Sequence, residues 1–381
     1  MKIGILTHYY NTKNYGGLLQ AYALVEFLRK NGFDAEQICY KLSGEPFGAK
    51  DKQPEPPISF FERAKRSLKY RLSWKRRYFK RYLLPRYDKF TEFQNRIPHS
   101  KKSYDKETIG NADGYDCYIT GSDQVWNFQW FNPAFFLEFV QSPKKKIAYA
   151  ASAGKSSFTE EEKAYLEAVL PSFDAISVRE SDLVDVLKEI KGAKPAEYVL
   201  DSTLLLRTED WDKIAAERLI EEKYAFCFFL GNDDEMKKLA ASYAKEHGLK
   251  LALIPHTGWM NQFDLKFGDK RIDLAGPGDF VSLIKHAECV FTDSFHATAF
   301  SMQYQKEVFV FGRLGAQGMS SRIYTLTKLF GCEANFCDSE EKRTLAYVDS
   351  LEKIDYTKRR DAFEQMRQKS SQFLLNQLKE T

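Results

Sequence analysis

Short apolar runs alternate with longer segments of helical periodicity along most of this chain. Residues 2–8 read as a strand. Residues 16–31 read as a helix: Leu18, Leu19, Tyr22, Ala23, Phe27 and Leu28 recur at three- and four-residue spacing, and Gly32 is a stop. Further strands are expected at 33–40, 115–120, 146–151, 175–178 and 198–200. A second series opens with a strand at 224–230, then a helix at 235–247 and strands at 250–255, 289–292 and 308–311. Strands that alternate with helices predict parallel sheets covered on both faces. The apolar run 203–206 closes the first series, so the expected division is a Rossmann-like domain at 1–206 and a second at 207–381, facing each other across a cleft. A long polar-rich helix over 357–378 is expected to cross back onto the first domain.

The length of 381 residues agrees with two domains, each able to bury a substantial core. With 43% hydrophobic and 29% charged residues, and no apolar run long enough to span a bilayer, the chain is expected to be globular and soluble. Its first residues enter a strand pattern directly, without a signal-peptide core, so a cytoplasmic location is expected. Six scattered cysteines include no C-x-x-C pair, which argues against a zinc site or a disulfide framework; no metal and no resident cofactor are expected.

The net charge of +4 is unevenly placed. Between Arg63 and Lys89 stand twelve Lys or Arg residues and one acid, Asp88, interleaved with Tyr70, Trp74, Tyr78 and Phe79, inside an insertion at about 53–100 that a Pro-rich segment introduces. Two readings are carried forward: a solvated helical insertion whose aromatics pack on the body, and a contact with an anionic membrane surface that places the protein peripherally on the inner face of the cell membrane. Nucleic acid is not an expected partner.

The densest chemistry lies at 289–300. The apolar run Cys289, Val290, Phe291 ends at Thr292-Asp293-Ser294, residue types that accept hydrogen bonds from the free amides of a starting helix. His296 then falls in the first helical turn at the carboxyl end of a strand, where open α/β sheets bind ligands and where helix amides favour an anion. One reading makes His296 a proton carrier; the other makes it a space-filler in an ordinary connection. Asn14-Tyr15-Gly16-Gly17 likewise reads either as a cradle for an anionic or sugar ligand or as a tight turn, and it lacks the full dinucleotide fingerprint. Asp123 either lines the cleft or caps a turn, and His8 either faces the cleft or has a core or surface role.

Several segments together resemble the polysaccharide pyruvyl transferases. They are Asn14 to Leu24, Gly121-Ser122-Asp123-Gln124-Val125-Trp126-Asn127, Tyr149 to Gly154, Ser177-Val178-Arg179-Glu180, Val199 to Leu205, Thr292-Asp293-Ser294-Phe295-His296 and Ser321-Arg322-Ile323. The resemblance implies a glycosyltransferase B-like architecture and a ketal-forming transferase of polysaccharide biosynthesis. It would move the pyruvyl group of phosphoenolpyruvate onto two hydroxyls of a sugar or lipid-linked saccharide. In that reading His296 serves as acid or base with Asp293 orienting it, and Arg179, Arg313, Arg322 and Ser294 hold the donor, because guanidinium pairs suit phosphate and carboxylate. Asn14, Tyr15, Gly16, Gly17, Asp123 and Gln124 form the acceptor side. Arg179 and Arg313 are expected just past strands, and Arg322 on the Gly-rich loop that follows. Many members of the family carry Arg two residues before the His; Ser294 stands there, leaving the anion to the other three arginines. The same architecture would serve a glycosyltransferase that uses a nucleotide-sugar, or a non-catalytic sugar- or membrane-binding protein.

Overall fold

The computed structural model describes residues 1–42, 79–256, 263–264, 266–313 and 321–379. Two parallel sheets carry the molecule. The first has seven strands: β1 (Lys2–Leu6), β2 (Asp34–Tyr40), β3 (His99–Tyr104), β4 (Cys117–Thr120), β5 (Lys145–Ala151), β6 (Ala175–Val178) and β7 (Ala196–Tyr198), in spatial order 3-2-1-4-5-6-7. The second has six: β8 (Tyr224–Phe228), β9 (Lys250–Leu253), β10 (Lys270–Arg271), β11 (Cys289–Thr292), β12 (Glu307–Phe311) and β13 (Phe336–Cys337), in order 10-9-8-11-12-13. Both are doubly wound, and the order reverses between β1 and β4 in one and between β8 and β11 in the other. Such reversal points leave a crevice beyond the strands' carboxyl ends.

The central strands are buried on both faces and read as unbroken apolar runs, which is why they were legible. β3 was not: its sequence His-Ser-Lys-Lys-Ser-Tyr is polar, as an edge strand can be. β1 ends at Leu6 rather than at His8, so His8 belongs to the loop that follows. Helix α1 (Tyr15–Lys30) begins one residue earlier than its periodicity suggests, because Asn14 caps it by accepting from the Gly17 amide.

The two halves share one apolar cluster. Tyr15, in the first turn of α1, stacks on Phe280 at a centroid distance of 4.9 Å and donates its hydroxyl to the Ala275 carbonyl at 2.7 Å. Helix α2 (Leu84–Arg96) adds a polar clamp. Its buried Arg86 donates to the carbonyls of Asp273 at 2.6 Å and Pro255 at 3.0 Å, and Lys89 pairs with Asp279 at 2.7 Å. These two members of the basic stretch therefore bind the second half of the protein; the basic residues from Arg63 to Arg77 lie outside the described residues. The last helix, α3 (Arg360–Lys379), returns to the first sheet: Arg367 donates to the Leu204 carbonyl, and the Ser370 hydroxyl accepts from the Leu200 amide. No described helix is long and apolar enough to cross a membrane.

Candidate active site in the cleft between the sheets

Loops that leave the reversal points of both sheets converge on one cavity of about 400 Å³, within the range of small-molecule sites. The first half contributes His8 and Asn14 after β1, Asp123 and Gln124 after β4, and Arg179 after β6; the second contributes Ser294 and His296 after β11, Arg313 after β12, and Arg322.

His296 sits in the first turn of a helix over Phe295–Gln303, whose cap is Ser294, accepting from the Ala297 amide at 3.4 Å. The imidazole lies directly over Gly16, where a Cβ would stand 2.0 Å from Nδ1. Only glycine permits this approach. On its other side Nε2 lies 3.8 Å from the Asp201 carboxylate, near enough for charge attraction but not for a hydrogen bond. Burial holds the imidazole below its usual value of 6.5, against the pull of Asp201 and Asp123.

Arg179 is buried and held from two sides. It donates to Asp201 at 2.8 Å, reaches Asp123 at 3.5 Å, and stacks over the Phe295 ring at 4.3 Å. Asp201 also accepts from the Ser122 hydroxyl and from the amide and hydroxyl of Thr203. Burial pushes its carboxyl up, but His296, Arg179 and these donors outweigh that and bring it to about 2. The Arg179 Nε has no hydrogen-bond partner among the described residues. Arg322 is buried in the first turn of a helix over Ser321–Phe330, rather than on a loop. That helix is tied to the first half by Ser321 on Asp182 and by Ser181 on Thr325. The Gln124 side-chain amide faces the Arg322 guanidinium and, with its oxygen turned that way, accepts from it. Burial and the neighbouring Arg179 charge lower Arg322 to about 10. Arg322 thus carries a buried positive charge beside that of Arg179, an electrostatic condition that favours an anion.

Two expected assignments change. Asp293 does not orient His296: its carboxylate accepts from the Leu230 and Gly231 amides at 2.7 Å each and from Arg313 Nε at 2.9 Å, so it fixes the Arg313 side chain. Tyr15, Gly16 and Gly17 do not line the cavity: Tyr15 faces the shared core, Gly16 supports His296, and a Cβ on Gly17 would stand 2.6 Å from the His8 carbonyl. Asn14, Asp123 and Gln124 do line it. Asp201 received no role from the sequence, although a carboxylate just past an apolar run was a usable signal. Glu180, beside Arg179, is buried and accepts from the Ser152 hydroxyl; burial pushes its carboxyl up despite Arg179. Exposed Trp130 and Leu42 border the cavity and were passed over. Among the described residues no cluster of His, Cys, Asp or Glu has the makings of a metal site.

A family model for polysaccharide pyruvyl transferase matches residues 14–314. Among curated protein sequences none matches the chain. Solved structures of low sequence identity share the fold. The UDP-N-acetylglucosamine 2-epimerase of Rickettsia bellii superimposes with a TM-score of 0.55 at 12% identity, over 99% of this chain and 96% of that one. The UDP-GlcNAc 2-epimerase of Neisseria meningitidis, bound to UDP-GlcNAc, gives 0.52 at 11% identity over 100% of both chains. That of Methanocaldococcus jannaschii, in complex with UDP-GlcNAc and UDP, gives 0.52 at 12% identity over 96% and 99%. The architecture is thus glycosyltransferase B-like.

Proposed function

The chain belongs to the polysaccharide pyruvyl transferase family, a family of transferase enzymes, and on that premise we propose that it moves the pyruvyl group of phosphoenolpyruvate onto two hydroxyls of a sugar, closing a cyclic ketal. The observation that carries the reading is the convergence of Arg179, Arg313 and Arg322 with His296 on one cavity, three guanidiniums and an imidazole drawn from both halves of the molecule. The donor carries a phosphate and a carboxylate, and paired guanidinium N–H groups match both. Asp201, Asp123 and Asp293 hold two of these guanidiniums in place before any ligand arrives, which limits the reorganisation needed on binding.

Burial favours the neutral form of the His296 imidazole. A bound donor brings negative charge beside it and favours the imidazolium form, which can then protonate the enol methylene. The first-half wall, with Asn14, Asp123 and Gln124, takes the acceptor sugar. The chemistry is tested by incubating the protein with phosphoenolpyruvate and a panel of lipid-linked and p-nitrophenyl hexosides, with phosphate release and product mass as readouts. Inorganic phosphate together with a pyruvyl ketal is the expected result. Turnover of a nucleotide-sugar with release of a nucleoside diphosphate would overturn it, as would failure to bind phosphoenolpyruvate at all.

A further inference from the structure

Closing a ketal takes more proton handling than one buried imidazole provides. Two sugar hydroxyls each lose a proton; one proton ends on the former methylene carbon and the other on the departing phosphate. His296 is nearly enclosed, with Nδ1 against Gly16 and Nε2 facing Asp201. The same cavity is lined by a second histidine that no expected role absorbed, His8, contributed by the other half of the protein.

The ring of His8 is fixed. It packs on Phe135 at a centroid distance of 4.3 Å, and Nε2 lies 3.2 Å from the Gln124 carbonyl. A carbonyl oxygen only accepts, so Nε2 carries the proton and Nδ1 holds the lone pair. Among the described residues no group donates to Nδ1. Gln124 and Asp123, on the same wall, leave the β4 loop beside it, and Asp123 supplies the negative charge that stabilises an imidazolium there. Burial keeps the resting ring neutral, below its usual 6.5.

We propose that His8 is the second proton-transfer residue of the cleft, taking the proton of the first acceptor hydroxyl through Nδ1 while His296 protonates the donor. The inference rests on the pyruvyl-transfer reading. In the addition step the hydroxyl oxygen forms a bond to C2 of the enolpyruvyl group, and its proton passes to His8. The C=C π pair takes the proton of the His296 imidazolium at C3, making the methyl group. In the closing step the C2–O bond to phosphate breaks with its electron pair on the leaving phosphate, which receives the proton held by His8. The second hydroxyl bonds to C2 and returns its proton to His296. Both rings end as they began, and no further reactant is needed.

The test exploits the geometry of the ring. His8→Gln keeps an amide N–H where Nε2 stood, so the contact to the Gln124 carbonyl survives, and removes the basic nitrogen. Expected results are a melting temperature and a phosphoenolpyruvate Kd within error of the wild type, and a kcat for ketal formation lower by about 10²–10⁴-fold. His8→Ala is expected to lose as much and to regain part of its rate when imidazole is added. Wild-type turnover with His8→Gln keeping kcat within threefold would overturn the assignment of His8 alone, as would an unfolded His8→Gln together with a folded His8→Ala that imidazole does not rescue. A wild type that forms no ketal from phosphoenolpyruvate overturns the parent reading, and this one with it.

Discussion

At the residue scale the site turns on a glycine and two histidines. A side chain at position 16 would collide with the His296 imidazole, yet on helix propensity alone alanine in α1 would be favoured over glycine by about 1 kcal/mol. The signs oppose, so the outcome is diagnostic. Gly16→Ala is expected to lower the melting temperature and reduce kcat, because overpacking a filled site costs about 1–3 kcal/mol. In a His296→Ala background the same change should become neutral or stabilising, and a double-mutant cycle of thermal melts reads the coupling. His296→Gln should lower kcat by about 10²–10⁴-fold in a protein that still melts cooperatively. The protonation of His296 makes a second prediction. Burial favours the neutral ring, and a bound anion favours the charged one, so phosphoenolpyruvate binding at pH 7 should take up protons and tighten as pH falls towards 6.5. Calorimetry in buffers of different ionisation heat measures that uptake; an unchanged uptake in His296→Gln would assign the proton elsewhere.

At the element scale the basic stretch divides in two. Arg86 and Lys89 of α2 bind the second half through two backbone carbonyls and a carboxylate, so Arg86→Ala should destabilise the fold by leaving buried acceptors unpaired, at about 1–3 kcal/mol for each group so exposed to loss. The residues before α2 are expected to act at a membrane instead, since clustered Lys and Arg attract anionic lipid with about 1 kcal/mol each. Replacing Lys75, Arg76, Arg77, Lys80 and Arg81 with glutamine should reduce low-salt sedimentation with phosphatidylserine vesicles and leave activity on a soluble acceptor intact. Equal sedimentation of variant and wild type would make the segment an ordinary solvated insertion.

At the scale of the whole molecule, the cleft is held by a core that runs from one sheet to the other. Tyr15, Phe228 and Phe280 pack across the junction, and α3 binds the end of the first half after leaving the second. A continuous core predicts a single cooperative unfolding transition in calorimetry despite the two sheets. Tyr15→Ala, which removes a buried ring and its hydrogen bond at the junction, should destabilise by about 3–5 kcal/mol, the range for large aromatic truncations in cores. Two separate transitions in the wild type would mean that the halves fold independently.

The amino-acid sequence by itself determined the doubly wound architecture, since strands buried on both faces must read as apolar runs and helices must show their period. It also placed His296 at a helix start after a strand and picked out arginines just past strand ends, because those positions follow from local order along the chain. The edge strand β3 escaped it, for a strand with little to bury has no apolar signature. Only the tertiary structure decided which partners meet. Asp201 lies 95 positions from His296 along the chain, yet its carboxylate stands beside that imidazole, whereas neighbouring Asp293 turns to Arg313. Gly16 serves not a turn of its own but the ring of a residue from the other half. Charge pairing and close packing act over a few ångströms in space, and separation along the chain carries no record of them.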